Sequence, residues 1–483
     1  MKWLFGKKFT SPPPHVDADL CAYGDTIKDH PLFLGIEKFG VYCNVTLDLK
    51  GCYDTPYTYP DAPHPEALVE YGSPNANKAF HLGHLRNLLI GDCFSNMLEF
   101  LGCEVERVSL VNDRGLDVFK ALSVYREADV RKPQNMKWDK FVGMCYTGYE
   151  SEGRSDAHDL QKLWERGDSK TCREHQELVE QVFLGHLQTM DLLEMSEMDY
   201  VFESEVYKDG VKIVKTRDDV FTTEDDGSIS FKGEKTVLRA DGTSLYITQD
   251  IGVAVQRSGK PCYYVVASPQ THHFKTLFSI MESLENSFEG IHLSYGMVEL
   301  PDGKMKSRLG RVVEVDELFE DMLTEAQPRM WNKNRYSAYP VVIAALKFHL
   351  LDFTLKSSIR FDPDEALAYE GRTGPYVLYT IARLDSLLEK MSLGEYDGQA
   401  EGYERDLVLR LLEWPDVFDK ISPHRITGWL FRVCKSFNTF YGNTKFVAHE
   451  REEALAALFQ RLRTELALGM SLLGCKVPEK VKL

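Results

Sequence analysis

The sequence predicts an α/β protein in which a doubly wound parallel sheet of nucleotide-binding type is followed by an all-helical domain. The first observation is a strand, a loop and a helix over residues 67–101, with a second strand at 104–110. The second is a set of short apolar runs between residues 243 and 299 that predict the rest of the sheet. The third is a helical pattern over nearly the whole chain after residue 330. A strand–loop–helix–strand order is typical of the opening of nucleotide-binding sheets.

Length, charge and cysteine content bound the class of protein. A chain of 483 residues is long enough for two or three domains with sizeable cores. The net charge of −17 excludes a general nucleic-acid binder, although a local basic surface can still contact RNA. We expect neither a membrane span nor a secretory signal. The ten cysteines form no CxxC pair, so we expect no metal site and free thiols in a reducing cytoplasm.

The first 65 residues are rich in proline and aromatic side chains and are expected to form a short N-terminal segment. One or two strands are predicted between Leu32 and Leu49. The prolines at 56–65 predict a linker that leads to the sheet domain.

The sheet domain is expected at 66–335. Its first two predicted strands are Ala67–Tyr71 and Glu104–Leu110. Between them, apolar residues at helical spacing predict a helix over Leu82–Leu101, which Gly102 ends.

The remaining elements are predicted from local composition. Polar segments of helical pattern predict a mainly helical insertion at about 115–200. After it the sheet is predicted to resume, and a helical domain is expected at 336–483. The later strands are predicted at Thr243–Thr248, Cys262–Ala267 and Ile291–Glu299.

Two histidines flank a glycine where the first loop enters the predicted helix. The free N–H groups of a helix N-terminus favour phosphate, and Gly83 would let a flat base approach the backbone. His81 and His84 could donate hydrogen bonds to phosphate oxygens. The alternatives are a chance match at a helix start and, less favoured, a metal pair that lacks a third ligand.

A second cluster of cations lies at 300–311, after the last predicted strand. Lys304, Lys306, Arg308 and Arg311 lie in a loop bounded by glycines, which could close over a triphosphate and neutralise the leaving pyrophosphate. The alternative is a solvated run of charge.

The two motifs together resemble the HIGH and KMSKS signatures of class I aminoacyl-tRNA synthetases. Longer segments are similar to the arginyl members of that family, in order along roughly 66–483. They are SPNANKAFHLGHLRNLLIGD (73–92), VNDRG (111–115), LRADGTSLYITQDIG (238–252), SYGMVELPDGKMKSR (294–308), EGRTGPYVLYTIAR (370–383) and LLGCKVPEKV (472–481). The resemblance implies a Rossmann-type catalytic domain followed by a helical anticodon-binding domain.

The resemblance also implies a role for each matching position. The ATP phosphates and base would be held by Lys78, His81, Gly83 and His84, and the pyrophosphate side by Lys304, Met305, Lys306 and Arg308. Asn75 and Gln270 would hold the amino and carboxyl end of arginine. Glu203, Tyr246 and Asp250 would line the guanidinium pocket, since carboxylates are the natural partners of a planar five-donor cation.

Simpler roles compete for several of these residues. Asp250 could be a helix N-cap, Tyr246 a strand core residue, and Glu205 lies two positions from Glu203. In the helical domain, four side chains could contact tRNA through base stacking or charge, or could pack between helices instead. They are Tyr376, Tyr379, Arg383 and Phe440.

The implied function is ATP-dependent joining of L-arginine to tRNA(Arg), with Mg²⁺ accompanying ATP and the chain acting as a cytoplasmic monomer. Two departures from the family stand out. The second lysine of the KMSKS signature is Ser307 here, so Lys306 or Lys78 would supply that charge, and residues 1–65 are too few for the usual N-terminal domain. The alternatives are an arginine-activating paralogue with another acceptor and a non-catalytic RNA-binding relative.

Overall fold

The structure, a computed structural model, describes residues 1–5, 18–23, 30–39, 42–127, 132–299, 313–330 and 335–477. The helices are α1 Lys2–Phe5, α2 Leu49–Asp54, α3 Leu82–Phe100, α4 Leu116–Tyr125, α5 Trp138–Ser151, α6 Ala157–Glu165, α7 Ser169–Leu192, α8 Glu203–Thr216, α9 Tyr246–Gln256, α10 Thr271–Ser283, α11 Val315–Ala326, α12 Arg335–Leu351, α13 Pro363–Ala366, α14 Gly374–Leu388, α15 Gly402–Leu411, α16 Pro423–Asn443 and α17 Glu452–Leu472. The strands are β1 Leu20–Tyr23, β2 Phe33–Phe39, β3 Tyr42–Leu47, β4 Glu66–Glu70, β5 Glu104–Val111, β6 Asp199–Phe202, β7 Phe221–Thr223, β8 Ile229–Phe231, β9 Lys235–Leu238, β10 Pro261–Ala267, β11 Glu289–Tyr295, β12 Val298–Glu299 and β13 Ile359–Arg360.

A five-stranded parallel sheet in the order β11-β10-β4-β5-β6 forms the centre of the α/β half of the chain. The predicted α/β class is confirmed, and β4, α3, β5 and β10 fall where the apolar pattern placed them. Gly102 ends α3 with a φ of +92°, the left-handed conformation that glycine adopts without strain. The switch in strand order puts the loop after β4 at the carboxyl edge of the sheet, where ligands bind in such folds.

The strand predicted at Thr243–Thr248 is wrong. This segment is a loop that leads into α9, and the Thr248 hydroxyl accepts the Leu245 backbone N–H at 3.0 Å in the first turn. The apolar residues Ile247 and Ile251 lie four positions apart and are both buried, which is helical spacing. The β-branched residues of this segment favoured a strand in the prediction, but the hydrogen bond at the helix cap stabilises the start of α9 instead.

Helices α4–α7 occupy residues 116–192, within the stretch where a mainly helical insertion is predicted. The strands between this insertion and α9 were not predicted from the sequence. Strand β6 joins the edge of the main sheet beside β5, and β7–β9 form a separate antiparallel sheet.

The C-terminal half is helical from α12 onward, as predicted, apart from the two-residue strand β13, which pairs with β12. Its core includes Trp414 and Trp429, both buried, with ring centroids 4.4 Å apart. The buried ammonium of Lys347 on α12 donates to the carbonyls of Glu194 and Gly474, at 3.2 and 2.6 Å. This lysine therefore ties the helical domain to the end of α7.

The N-terminal segment forms a small antiparallel sheet in the order β1-β3-β2, so the strands predicted between Leu32 and Leu49 are confirmed. The predicted linker at 56–65 adopts neither helix nor strand. It is nevertheless packed, because the guanidinium of Arg461 on α17 lies 4.4 Å from the ring centre of Tyr57. No helix in the described ranges has the length and apolar character needed to cross a membrane.

Candidate active site

The two predicted histidines meet at the N-terminus of α3. His81 is the N-cap residue, and its Nδ1 accepts the backbone N–H groups of Gly83 and His84 at 3.1 and 3.4 Å. In return, Nδ1 of His84 accepts the backbone N–H of His81 at 3.2 Å. The two rings stack with centroids 3.7 Å apart. This reciprocal cap fixes both rings at the point where the helix dipole favours an anion.

The hydrogen bonds also fix the protonation of the pair. Burial and the charge of Lys78 lower the pKa of His81 to about 4, and burial lowers the pKa of His84 well below its usual value. Both rings are therefore neutral near pH 7. Because each Nδ1 accepts a backbone N–H, each ring carries its proton on Nε2. The pair thus offers two fixed donors to a phosphate without adding charge.

The segment after residue 312 returns to this helix start. Leu82 donates its backbone N–H to the Val313 carbonyl at 3.3 Å, and Val315 donates to the Phe80 carbonyl at 2.9 Å. The second cation cluster, with Lys304, Met305, Lys306 and Arg308, lies outside the described residues. Val313 and Glu314, the first described residues after that cluster, lie beside His81, because Leu82 bonds to Val313 and His81 forms an antiparallel β-bridge with Glu314.

Asn75, Glu203 and Tyr246 come together around one small cavity of about 150 Å³. Asn75 is held there by a parallel bridge to Asn112 at the end of β5. Glu203 and Tyr246 are the first residues of α8 and α9. The loop that carries Asn75 leads on to His81 at the start of α3. A larger cavity of about 530 Å³ continues from it past Glu203 and Tyr246 toward α6.

Glu203 is the most unusual group of the site. Its side chain is 2% exposed, and Oε1 accepts a hydrogen bond from Nε2 of Gln249 at 2.5 Å. Oε2 is buried and has no hydrogen-bond partner among the described residues. Burial raises the pKa of this carboxyl to about 7, opposed by the nearby charge of Arg114. A buried carboxylate with one free oxygen is suited to a cation supplied by a ligand.

The other two predicted arginine-site residues, Asp250 and Gln270, do not line these cavities. Asp250 lies inside α9 and its Oδ2 is 2.5 Å from Nε2 of His273, so the N-cap interpretation of Asp250 is wrong. Gln270 is exposed at the end of the short 3-10 helix that precedes α10. Tyr246 is 65% exposed, which excludes the strand-core alternative. In the described part of the chain, no group of three or more His, Cys, Asp or Glu side chains is arranged for a metal ion.

Two glycines bring α8 and α9 close enough to form the site. A Cβ added to Gly210 would lie 1.8 Å from the Thr248 carbonyl oxygen, and one added to Gly252 would lie 2.6 Å from the Gly210 nitrogen. Neither position tolerates a side chain at this helix crossing. The crossing places Glu203 of α8 within hydrogen-bonding distance of Gln249 of α9.

Gly210→Ala is therefore expected to push α8 away from α9. We expect a loss of about 1–3 kcal/mol in the free energy of unfolding, from overpacking against backbone that cannot move aside. Gly442→Ala is the matched control, because Gly442 lies in a helix with no atom near its added Cβ. Equal thermal melting temperatures for the two variants would contradict the close crossing.

Sequence reasoning missed Gln249 and the part played by Arg114. Arg114 donates to Ser244 Oγ at 2.8 Å and to Glu165 Oε1 at 2.7 Å, and its guanidinium lies 4.0 Å from the ring centre of Tyr207. It therefore joins α6, α8 and the loop before α9 around the pocket. Both residues belong to segments that resemble the family, VNDRG and LYITQD, but only the structure shows their partners.

The helical domain carries its own aromatic cavity, of about 570 Å³. Tyr376, Tyr379 and Arg383 line it, and the guanidinium of Arg383 lies 4.3 Å from the ring centre of Tyr379. The prediction that Phe440 contacts tRNA is wrong for this structure, because Phe440 is 5% exposed and packs against Phe446 in the core.

Comparison with known proteins gives a consistent result over nearly the whole chain. Residues 59–342 match the model of the class I (R) tRNA synthetase catalytic domain, and residues 377–481 match the DALR anticodon binding domain. An arginine–tRNA ligase of Treponema denticola is 32% identical, over 93% of this chain and 86% of that protein. One of Borrelia hermsii is 33% identical, over 80% and 74%. The arginyl-tRNA synthetase structure of Thermus thermophilus shares the fold, with a TM-score of 0.82 at 24% identity and coverage of 98% and 96%.

Proposed function

Since the chain belongs to the arginine–tRNA ligase family of class I aminoacyl-tRNA synthetases, we propose that the cleft between the start of α3 and the α8–α9 pair activates L-arginine with ATP. The observation that carries this proposal is the Glu203 carboxylate. It is buried with one oxygen unpartnered, in a cavity that Asn75 and Tyr246 also line. A guanidinium is the cation that a recessed carboxylate of this kind would select.

ATP occupies the histidine side of the cleft in this proposal. The Nε2–H groups of His81 and His84 donate to phosphate oxygens, and Gly83 leaves room for the base. Lys78 adds positive charge close enough to lower the pKa of both histidines. Lys304, Met305, Lys306 and Arg308 then close over the pyrophosphate from the segment whose end is anchored at Val313. Serine at position 307 leaves Lys306 and Lys78 to supply the second lysine charge of the signature.

Arginine occupies the other side. Its guanidinium pairs with Glu203 beneath the Tyr246 ring, and Asp250 adds a second carboxylate, held by His273. Asn75 and Gln270 hold the amino and carboxyl end of the amino acid. This orientation directs the arginine carboxylate toward the histidine pair, because the loop with Asn75 runs directly to His81.

The chemistry then needs two displacements. An oxygen of the arginine carboxylate attacks the α-phosphate of ATP, the bond to the bridging oxygen breaks, and pyrophosphate leaves with its electron pair. The terminal hydroxyl of tRNA(Arg) next attacks the carbonyl of arginyl-adenylate, loses its proton, and AMP leaves. The protein contributes position and charge stabilisation rather than a covalent intermediate.

The remaining assignments concern partners. We propose that Mg²⁺ arrives on the ATP phosphates, and no side chain is assigned to it. Tyr376, Tyr379 and Arg383 are proposed to contact tRNA, because their cavity combines aromatic faces with a guanidinium. We further propose a cytoplasmic monomer. The ten cysteines form no disulfide in the structure and nine of them are buried, which suits a reducing compartment.

ATP–pyrophosphate exchange tests the proposal. We expect exchange with arginine when total tRNA is present, and none with citrulline, which has nearly the same shape but no charge to satisfy Glu203. Exchange without tRNA that is unaffected by adding it would favour an acceptor other than tRNA. Failure of exchange with every amino acid under both conditions would favour a non-catalytic relative.

A further inference from the structure

A hydrogen bond between Gln249 and Glu203 links the two helices that form the proposed arginine pocket. Gln249 lies on α9 and is 5% exposed, and its amide nitrogen donates to Oε1 of Glu203 at 2.5 Å. Glu203 lies on α8, so the bond crosses between the two helices that Gly210 and Gly252 hold together. It restrains the carboxylate at one oxygen only, since Oε2 has no partner in the part of the chain that the structure describes.

The charged groups around Glu203 are engaged elsewhere. Arg114 bonds to Glu165 and Ser244, Asp113 accepts two hydrogen bonds from Ser204, and Asp250 is paired with His273. Asp117 and Tyr246 line the small cavity, and His158 lines the larger one. The described residues therefore give Glu203 a neutral hydrogen-bond donor and no ion pair.

We propose that Gln249 is the positioning residue of the arginine pocket, a role that rests on the proposed function. Its neutral amide occupies Oε1 and turns Oε2 toward the bound guanidinium. A cationic donor at this position would satisfy the same oxygen but would also neutralise the carboxylate, and would then compete with the substrate. A glutamine orients the carboxylate and leaves the compensating charge to arginine.

Two substitutions at this position should act in opposite directions on the pH dependence. Gln249→Met keeps the length of the side chain and removes the donor, so the carboxylate is less stabilised and the acid limb of kcat/KM for arginine should move to higher pH. Gln249→Lys adds an internal cation, so the limb should move to lower pH. Both should raise the KM for arginine at pH 8, by about tenfold for methionine and by more for lysine.

The matched control is Gln256→Met. Gln256 lies on the same helix and donates to the Asp209 carboxylate at 2.7 Å, but that pair is exposed. It should leave the KM for arginine and the acid limb unchanged. A residue with a merely structural role would raise KM at every pH without moving the limb in opposite directions.

The experiment is ATP–pyrophosphate exchange with tRNA present, measured from pH 6 to 9 on the full chain, with Glu203→Gln included. Opposite shifts of the limb in Gln249→Met and Gln249→Lys are expected. An unchanged KM and limb in Gln249→Met, while Glu203→Gln loses arginine, would overturn the positioning role alone. If Glu203→Gln also kept its affinity for arginine, the proposed pocket itself would fail, and the role of Gln249 with it.

Discussion

Glu203→Gln is expected to raise the KM for arginine by two to three orders of magnitude and to change kcat far less. The substitution keeps the shape of the side chain but removes the buried charge that we propose pairs with the guanidinium. Removing one partner of a buried charged pair costs about 3–5 kcal/mol, and this cost sets the expected size of the increase in KM. Initial rates of ATP–pyrophosphate exchange against arginine concentration measure it.

The pH dependence of the wild-type protein adds a signature. Burial raises the pKa of Glu203 to about 7, so the carboxyl is protonated as the pH falls below that value and can no longer pair with a cation. The KM for arginine should therefore rise as pH falls through about 7. In Glu203→Gln this acid limb should disappear.

The thermal stability of Glu203→Gln shows whether a loss of arginine binding comes from the site itself or from unfolding of the protein. Burial raises the pKa of Glu203 to about 7 in the folded chain, whereas the carboxyl has its ordinary pKa of about 4.5 in the unfolded chain. As the pH rises from about 4.5 to about 7, the unfolded chain loses this proton before the folded chain does. Ionisation of Glu203 therefore lowers the free energy of unfolding over this range. At pH 8 Glu203→Gln should thus melt no lower than the wild type. Glu205→Gln is the control, since Glu205 is exposed on the same helix. An equal loss of arginine affinity in both variants would contradict the assignment of Glu203.

His84→Ala is expected to lower kcat for exchange by about 10²–10³-fold, the effect of removing one fixed donor from a developing charge. The KM for arginine should change little, because the His84 ring lies at the phosphate side of the cleft. This is the reverse of the pattern expected for Glu203→Gln. Steady-state exchange with saturating ATP and tRNA distinguishes the two patterns.

The histidine prediction has its own control and pH test. His64→Ala removes a histidine that precedes β4 and contacts Tyr263, away from the cleft, and should leave kcat unchanged. Since the pKa of His81 is about 4 and that of His84 is also far below 6.5, kcat should not titrate between pH 6 and 8 through this pair. A kcat that fell with a histidine-like pKa in that range, and lost this dependence in His84→Ala, would contradict neutral donors.

The parts of the fold that the sequence predicted are those governed by local pattern. Helix α3 and strands β4, β5 and β10 each coincide with a local run of apolar residues, and β4 and β5 are neighbours both along the chain and in the sheet. The segment Thr243–Thr248 failed because its β-branched residues favour a strand, whereas the Thr248 cap that starts α9 is visible only in three dimensions.

In the candidate site, too, local features could be predicted from the sequence, whereas contacts between residues distant in the chain could not. The histidine pair could be predicted because both residues belong to one helix turn. The link between Glu203 and Gln249 could not, because 46 residues separate them and only the close crossing at Gly210 and Gly252 brings them together. The pKa of Glu203 likewise depends on burial, which no local pattern reveals. Phe440 was misassigned for the same reason, since an aromatic side chain in a helix looks alike in sequence whether it faces the core or RNA.

We propose that Glu203 selects arginine for attachment to tRNA, and the transfer of labelled amino acids to tRNA measures this selection. Wild-type protein should attach arginine to intact tRNA, but not lysine or citrulline, and should fail with tRNA whose 3′ end has been oxidised. Glu203→Gln should lose this transfer at arginine concentrations that saturate the wild type. Equal transfer by the two proteins would contradict the selection of arginine by Glu203. Arginine-dependent exchange with no transfer to any tRNA would contradict tRNA as the acceptor.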